Sequence, residues 1–321
     1  MIHFLSKELE EKVSIIVPTR NEADVLEECL KSIFTQSITP LETIVVDGGS
    51  TDNTLDIARK YNTKIIKEEG FSSPANARNL GAENAKGDIL LIMDADVTPQ
   101  KDCLRNALQL FKDKNVIAVI PQELNRNHSF IELIQRKWNE GSRTSVSIGL
   151  PKAKVVGLVL FVRKKAFAKV RFDTTYGFGE DDDFCMRLEK EFRGCRILVA
   201  ENCSVTSHLP HTFKELATRY IWWGRTFPSY FAKHFSLKSF LNLGSLTLPL
   251  VVLISLLMLF IFPQVWIFFL LFFSLFIVQI LAVCVRSKST SFLQFIFFDI
   301  IRSSFFAVGL VQSVFVTKKG R

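Results

Sequence analysis

Two long apolar segments near the carboxyl end constrain this chain most, because a continuous apolar run of about 20 residues can cross a bilayer as a helix. They cover residues 243–262 and 265–285. The Phe-rich stretch 268–273 leaves no polar face of the kind that a water-soluble helix needs. We therefore predict two membrane helices, in preference to the alternative of a buried hairpin in a large soluble protein.

A third apolar segment, residues 292–316, contains Asp299 and Arg302 one helical turn apart. It is either a spanning helix with a paired charge or a helix that starts at the membrane interface, and the interfacial start is slightly favoured. Cations flank the apolar segments, and the positive-inside rule then places both flanks in the cytosol. Those cations are Lys233, Lys238, Arg286, Lys288, Lys318, Lys319 and Arg321.

The net charge of +8 is compatible with nucleic acid, anionic lipid or a phosphorylated substrate. Its position beside the apolar segments favours a membrane surface, and no nucleic-acid-binding module accompanies it.

The six cysteines form no C-x-x-C pair, so neither a zinc site nor a disulfide framework is expected. Residues 1–12 contain no sustained apolar stretch, so we expect no signal peptide. A multi-pass protein of the cell membrane with its remaining domain in the cytosol is predicted.

Upstream of residue 240, short apolar runs with a β-branched bias alternate with segments of helical periodicity. This alternation predicts an α/β domain with a mostly parallel sheet and right-handed crossovers. Ligands bind such sheets beyond the carboxyl ends of the strands. The predicted strands are residues 13–17, 43–46, 64–67, 89–93, 116–120, 155–162 and 196–199, and the predicted helices lie at 25–33, 54–61, 74–85, 101–111 and 186–192.

Asp94 and Asp96 follow one of these predicted strands, and carboxylates two residues apart at a strand end point to the same side. Such a pair suits a hard divalent cation, because magnesium takes one or two carboxylates together with substrate phosphates. Taken alone, a D-x-D triplet is weak evidence, since it is common in surface turns.

A second acidic group follows Gly177 and Gly179 and opens a predicted helix. The dipole of a helix favours acids at its amino end, which accounts for one or two of them more readily than for four. The group consists of Glu180, Asp181, Asp182 and Asp183.

Five motifs over roughly residues 13–225 resemble those of the family 2 inverting glycosyltransferases of the GT-A fold. The resemblance implies a Rossmann-like GT-A catalytic domain that uses a nucleotide-diphosphate sugar and Mg²⁺ or Mn²⁺. It divides the chain into an extension (1–12), a nucleotide-sugar-binding half (13–115), an acceptor-binding and catalytic half (116–232) and a membrane domain (233–321). The motifs are Val17-Pro18-Thr19-Arg20-Asn21-Glu22, residues 45–54, Ala77-Arg78-Asn79-Leu80-Gly81, Asp94-Ala95-Asp96 and Gly179-Glu180-Asp181-Asp182-Asp183.

The resemblance also implies roles on the donor side. Some of these residues also have a purely structural interpretation. Residues 47–50 alone indicate a plain turn, and a helix cap is the preferred interpretation of residues 50–54. Arg78 has the alternative of a solvated helix charge. The implied roles are framing of the nucleotide by Pro18, Thr19, Asn21 and Glu22, a base contact for Asp47, an approach of Arg78 to the sugar or diphosphate, and metal binding by Asp94 and Asp96.

Inverting transfer needs a base that deprotonates the acceptor, and a positioned carboxylate is sufficient for this. The match to the acidic pair of the family implies that Asp181 is the base, with Asp182 as the alternative. Glu180 and Asp183 would support the loop or the acceptor. Repulsion among these acids is expected to raise the pKa of at least one carboxyl.

Two further groups lie after the last predicted strand. In related transferases a histidine here often approaches the metal or diphosphate, so His208 is a candidate ligand, with a structural role as the alternative. A structural role is favoured for His211. Trp222 stands where the R-x-x-R-W element of processive polysaccharide synthases has its second arginine, which argues against processive synthesis. Trp222 and Trp223 are then interfacial anchors or an acceptor platform.

We therefore expect a glycosyltransferase whose acceptor lies in the membrane, most simply a polyprenyl or dolichyl phosphate or a lipid-linked saccharide. The alternatives are a transferase for a protein or soluble glycan acceptor, and a membrane scaffold that has lost catalysis. The scaffold is disfavoured because the carboxylates at the metal and base positions are present. A nucleotidyltransferase is disfavoured because no glycine-rich loop follows the first strand. The sugar, the nucleotide and the oligomeric state stay open.

Overall fold

The structure, a computed structural model, describes residues 11–69, 72–124, 129–142, 159–175, 177–235, 237–261, 266–290 and 292–316. The chain forms two compact units. Unit 1 consists of Met1–Arg126, Ser147–Thr174 and Glu180–His208, and unit 2 consists of Asn127–Val146, Thr175–Gly179 and Leu209–Arg321.

Within the described residues, unit 1 contains one sheet of eight strands in the order β3-β2-β1-β4-β7-β6-β8-β5. The first four of these run parallel, whereas β7 is antiparallel to both of its neighbours. Strand β8 pairs parallel with β6 and antiparallel with β5. The predicted α/β domain is confirmed, and beyond β4 its sheet is mixed. The strands are β1 (Val13–Thr19), β2 (Glu42–Asp47), β3 (Lys64–Lys67), β4 (Ile89–Met93), β5 (Val97–Pro99), β6 (Val116–Glu123), β7 (Val159–Arg163) and β8 (Arg196–Ser207).

Alternation along the strands of unit 1 builds a core on each face of the sheet. In β1, Ile15 and Val17 belong to one cluster of buried residues, and Ile16 between them belongs to the other. Helices cover both clusters. They are α1 (Ala23–Phe34), α2 (Thr54–Arg59), α3 (Pro74–Asn84), α4 (Cys103–Leu110), α6 (Lys164–Val170) and α7 (Glu180–Glu191), numbered along the whole chain.

Helix α3 shows why these residues form these elements. The side chain of Ser73 accepts from the Asn76 backbone N–H at 3.1 Å, and Pro74 occupies the first helical position.

The sequence prediction missed β5 and α6, which are three and seven residues long and too short for a clear period. It also left α5 and α8 of unit 2 unassigned. The predicted strand at 155–162 begins outside the described residues, and its described part is β7.

Unit 2 is helical in its described residues. Residues Trp266–Arg286 and Phe292–Ser313 are long and apolar enough to cross a membrane, by length and composition. The first predicted span, residues 243–262, extends beyond the described residues, and its described part includes the shorter apolar helix Thr247–Met258. The helices are α5 (Phe130–Ser142), α8 (Phe213–Lys233), α9 (Leu237–Ile261), α10 (Trp266–Arg286) and α11 (Phe292–Val316).

A buried ion pair lies in α11. Asp299 and Arg302 are ion-paired, and Gln279 of α10 donates to Asp299 Oδ2 at 2.9 Å. The paired charge named in the first alternative is present, and whether α11 spans the membrane or starts at its interface stays a prediction.

Candidate active site

The loops after β1 and β2 are joined by hydrogen bonds at the carboxyl edge of the sheet. Asn21 has a positive φ of 57°, a conformation that asparagine tolerates better than most residues. Its Oδ1 accepts from the Thr51 backbone N–H at 2.8 Å, and its own N–H donates to Ser50 Oγ at 2.9 Å. Asn21 therefore shapes the loop in which the resemblance places the nucleotide.

Asp52 and Thr54 accept hydrogen bonds from backbone N–H groups at the starts of two helices, although Asn53, the N-cap residue of α2, makes no side-chain cap hydrogen bond. Asp52 accepts from the Thr54 N–H at 3.0 Å and from the Ala23 N–H at 3.1 Å. Thr54 Oγ1 accepts from the Glu22 N–H at 2.8 Å. Because Glu22 and Ala23 begin α1, the β2 loop supplies caps to the helix that follows β1.

Asp47 is buried at the end of β2, and its carboxylate accepts from the N–H groups of Gly49 and Ser50 at about 3.2 Å. The predicted turn is confirmed, and its Gly49 has a φ of 84°. Thr19 is buried, and its hydroxyl faces the Val46 carbonyl at 3.4 Å. Pro18 is half-buried on the same strand. The base contact of Asp47 stays a prediction.

A third loop reaches the same edge from β3 and was missed from the sequence. A Cβ on Gly48 would collide with the hydroxyl of Ser72. Ser72 and Asn76 both donate to the Glu68 carboxylate at 2.7 Å. Because Gly48 has no side chain, the loop after β2 can approach the loop after β3 closely. The two loops are neighbours because β2 pairs with β3, and the sequence alone does not reveal this pairing.

Arg78 of α3 occupies the centre of the site. Its guanidinium is buried, with Nη2 donating to Asp94 Oδ1 at 2.8 Å and Nη1 donating to Glu180 Oε1 at 2.7 Å. Burial lowers the pKa of Arg78, but the two carboxylates raise it by more. The pKa of Arg78 therefore lies above its usual value. The solvated-charge alternative is therefore wrong. Arg78 thus joins the D-x-D triplet to the acidic group. The two residues that it bridges, Asp94 and Glu180, are 86 positions apart in the sequence.

Asn79, the residue after Arg78, holds the backbone at Phe172, which precedes the acidic group in the sequence. Asn79 donates to the Phe172 carbonyl and accepts from the Phe172 N–H, both at 2.9 Å. The Phe172 ring in turn lies 5.3 Å from the Arg78 guanidinium carbon. Neither contact was predicted, since an Asn and a Phe 93 residues apart carry no joint sequence signal.

The four acids form the first turn of α7, and they differ in environment. Burial raises the pKa of Glu180 to about 7, although Arg78 opposes this. Burial also raises the pKa of the half-buried Asp181, and Arg78 again opposes the shift. Asp183 is buried and accepts from Arg187 Nε at 2.6 Å. Asp182 is half-buried, and its N–H donates to Asp181 Oδ1 at 2.9 Å.

The D-x-D triplet and His208 are brought together by pairing of two strands. Val97 pairs with Ser207, and the His208 N–H donates to the Asp96 carbonyl at 2.8 Å. Asp94, Asp96 and His208 are all half-buried. These three residues therefore lie along one sheet edge, and their binding of Mg²⁺ or Mn²⁺ stays a prediction.

His211 belongs to unit 2, where it contacts Glu215 and lies near Glu132. Its N–H donates to Glu215 Oε2 at 2.9 Å, and its Nδ1 lies 3.8 Å from the buried carboxylate of Glu132. The structural role preferred for His211 from the sequence stays a prediction.

The chain matches two family models. The model described as glycosyl transferase family 2 matches residues 14–145. The model described as glycosyl transferase family group 2 matches residues 89–282, which is more than half of the chain.

Curated relatives point in the same direction. The PGL/p-HBAD biosynthesis glycosyltransferase of Mycobacterium bovis is 32% identical over 182 residues, which cover 54% of this chain and 68% of that protein. A dolichyl N-acetyl-alpha-D-glucosaminyl phosphate 3-beta-D-2,3-diacetamido-2,3-dideoxy-beta-D-glucuronosyltransferase of Methanococcus voltae is 28% identical over 199 residues, 56% of this chain and 62% of that protein. Two further glycosyltransferases match over shorter stretches, and the chain spans 42% and 36% of their lengths.

Among solved structures, the chain resembles the mannosyltransferase PcManGT from Pyrobaculum calidifontis in complex with GDP-Man and Mn²⁺. The TM-score is 0.57 at 19% identity, and the match covers 95% of this chain and 88% of that one. At this identity the likeness shows the fold.

Proposed function

This chain belongs to the glycosyl transferase family group 2 and has the GT-A fold, and from that premise we propose that it is an inverting transferase with a membrane-held acceptor. The sugar would come from a nucleotide-diphosphate donor. The observation that carries the proposal is the Arg78 bridge, because it joins a carboxylate of the D-x-D triplet to the acidic turn of α7. Donor-side and acceptor-side groups are thereby held in one network.

On the donor side, the joined loops after β1, β2 and β3 would hold the nucleotide, with Pro18, Thr19, Asn21, Glu22 and Asp47 around it. Asp94 and Asp96 offer oxygen ligands to a divalent metal, and His208 offers a nitrogen. When bound, the metal supplies positive charge that neutralises the departing diphosphate. The GDP-Man and Mn²⁺ in PcManGT support this assignment, and the choice between Mg²⁺ and Mn²⁺ stays open.

On the acceptor side, Asp181 would take the proton from the attacking hydroxyl. The acceptor oxygen forms a bond to the anomeric carbon while the bond from that carbon to the diphosphate breaks. The electron pair leaves with the diphosphate, and attack from the opposite face inverts the anomeric centre. Arg78 favours the ionised form of Asp181, which a base needs.

The acceptor is proposed to be a polyprenyl or dolichyl phosphate or a saccharide carried on one. The two candidate spans would hold the enzyme at the bilayer, with the flanking cations in the cytosol. The name of the Methanococcus relative, which includes a dolichyl phosphate, supports a lipid-linked acceptor. A protein or soluble glycan acceptor is the second candidate. The inactive scaffold is disfavoured because Arg78 orders the very carboxylates that catalysis requires.

The test is a screen of radiolabelled nucleotide sugars against membranes that contain defined lipid phosphates, with product counted in the organic phase. Wild-type protein is expected to give lipid-soluble product with at least one donor. Asp181→Asn should abolish transfer while donor binding persists. Asp182→Asn is the matched control and should keep most activity. Full activity of Asp181→Asn, or loss only in Asp182→Asn, would refute the base assignment.

A further inference from the structure

Asn79 of α3 holds the backbone of a strained segment in unit 1. Its Nδ2 donates to the Phe172 carbonyl and its Oδ1 accepts from the Phe172 N–H, both at 2.9 Å in buried surroundings. The residue before Phe172, Arg171, has a φ of 47°, in the left-handed region that residues with a Cβ rarely adopt. Such a conformation persists only where its surroundings enforce it. The two hydrogen bonds of Asn79 provide that constraint at the adjacent residue.

The other side of the same segment contacts α7. The rings of Phe172 and Phe184 are stacked, with their centroids 4.4 Å apart and their planes 18° apart. Phe184 is fully buried on α7 and follows Asp181 by three residues. Arg187 of the same helix donates from Nη1 to the Val170 carbonyl at 2.5 Å. The chain between Val170 and Phe172 therefore joins α7 to α3, with both helices in unit 1.

Helix α3 is itself fixed on the sheet. A Cβ on Gly81 would lie 2.4 Å from Ile16 Cγ2 and 3.2 Å from Val46 Cγ2, so the helix packs closely on β1 and β2. These are the strands that lead into the loops proposed to hold the nucleotide. A group attached to α3 is therefore attached to the donor side of unit 1.

We propose that Asn79 is a positioning residue for the first turn of α7, which carries Asp181. The inference rests on the proposed function, in which Asp181 is the base. Arg78 gives this turn one attachment to α3, through Glu180. Asn79 gives α7 a second attachment, through the segment that stacks on Phe184. Two attachments to one helix restrict rotation about either of them, so the base keeps its place relative to the donor.

The expected effect is on the chemical step. A displacement of about 1 Å at a reacting group lowers the rate roughly a hundredfold. Asn79→Ala should therefore lower kcat by roughly tenfold to a hundredfold. The donor KM should change little, because the loops after β1 and β2 are held by their own hydrogen bonds between Asn21, Ser50 and Thr51.

The experiment uses the full chain in lipid nanodiscs with the donor that is active in the screen above. It compares Asn79→Ala, Asn79→Asp and Phe172→Leu with wild type. Asn84→Ala is the matched control and should keep wild-type kcat, because Asn84 on the same helix donates only within α3, to the Leu80 carbonyl, among its backbone contacts in the described residues. The readouts are kcat, the donor KM and the temperature of thermal unfolding.

The Asn79→Asp variant gives a test of the hydrogen bonds themselves. An ionised carboxylate can accept from the Phe172 N–H but cannot donate to the Phe172 carbonyl, whereas a protonated carboxyl can do both. The kcat of this variant, divided by that of wild type at the same pH, should therefore rise as the pH falls. A ratio that is constant with pH would contradict the assignment.

Unchanged kcat in Asn79→Ala protein that has folded would overturn the inference, even if its unfolding temperature were lower, because the role would then be structural only. A rise in the donor KM without loss of kcat would overturn it as well. Should the Ala variant fail to fold, Asn79→Asp and Phe172→Leu give the same comparison. Failure of the proposed function is distinct, because wild-type protein would then transfer no sugar from any donor and Asp181→Asn would change nothing.

Discussion

At the residue scale, the site depends on one buried guanidinium that serves two carboxylates. Arg78 has only 4% of its side chain exposed, and the Glu180 side chain is 9% exposed. Buried charges are tolerated when each is paired and hydrogen-bonded, and a planar fork can satisfy two acceptors at once. The bridge therefore gives Asp94 and Glu180 fixed positions before any substrate binds.

Removal of Arg78 should be costly. Arg78→Met leaves two partly or fully buried carboxylates without their cation, so the free energy of unfolding should fall by roughly 3 kcal/mol. Arg78→Lys should recover part of this, because an ammonium cannot reproduce the fork. Thermal unfolding in detergent measures both. Arg59→Met, which breaks the exposed pair with Asp56, is the matched control and should unfold near the wild-type temperature.

Glu180 should make stability depend on pH. Its folded pKa of about 7 exceeds the ordinary 4.5, so the folded protein binds more protons in this range than the unfolded chain. The stabilising contribution is fully present below pH 4.5 and is lost as the pH rises through about 7. Melting temperatures of wild type and Glu180→Gln across this window test the sign. The wild type should lose more stability with rising pH, and identical slopes would contradict the prediction.

At the element scale, the crossing of α8 and α11 depends on glycine. Backbone carbonyls of each helix lie where a side chain of the other would need space, at Gly224 and at Gly309. Arg225 Nη2 adds a hydrogen bond to Gln312 Oε1 at 2.6 Å. Small residues at the contact let the two helix backbones approach this closely.

Gly309→Val should force the two helices apart, because its Cβ would collide with the Ile221 carbonyl and crowd the Arg225 nitrogen. We expect a loss of about 1–3 kcal/mol from overpacking. Thermal unfolding followed by tryptophan fluorescence measures it. Val308→Leu on the neighbouring, 45% exposed position is the control. Equal stability of the two variants would contradict the prediction, because it would mean that α8 and α11 accommodate a side chain at position 309 without loss.

At the scale of the whole molecule, unit 2 exposes large apolar side chains along α10, among them Phe268 at 59% and Leu271 at 52%. Water would penalise such a surface, and a bilayer removes the penalty. We predict that the full chain sediments with membranes, resists an alkaline carbonate wash and is released by detergent. Recovery in the soluble fraction without detergent would refute a membrane anchor.

The sequence by itself determined most of the longer strands and helices of unit 1 and the apolar segments near the carboxyl end, because these follow from local period and composition. It also located Asp94 and Asp96 at a strand end and the four acids at a helix start. Such positions depend only on neighbours in the chain, so they are readable without the fold.

The tertiary structure alone decided which of these groups meet. The partners of Arg78, the antiparallel course of β7, the place of His208 beside Asp96 and the contact of Asn79 with Phe172 all arise from pairings between distant segments. Local propensity cannot specify them, because each depends on how strands and helices pack after they form. Arg78 illustrates the difference: its sequence context allowed a solvated charge, and burial between two carboxylates made it the centre of the site.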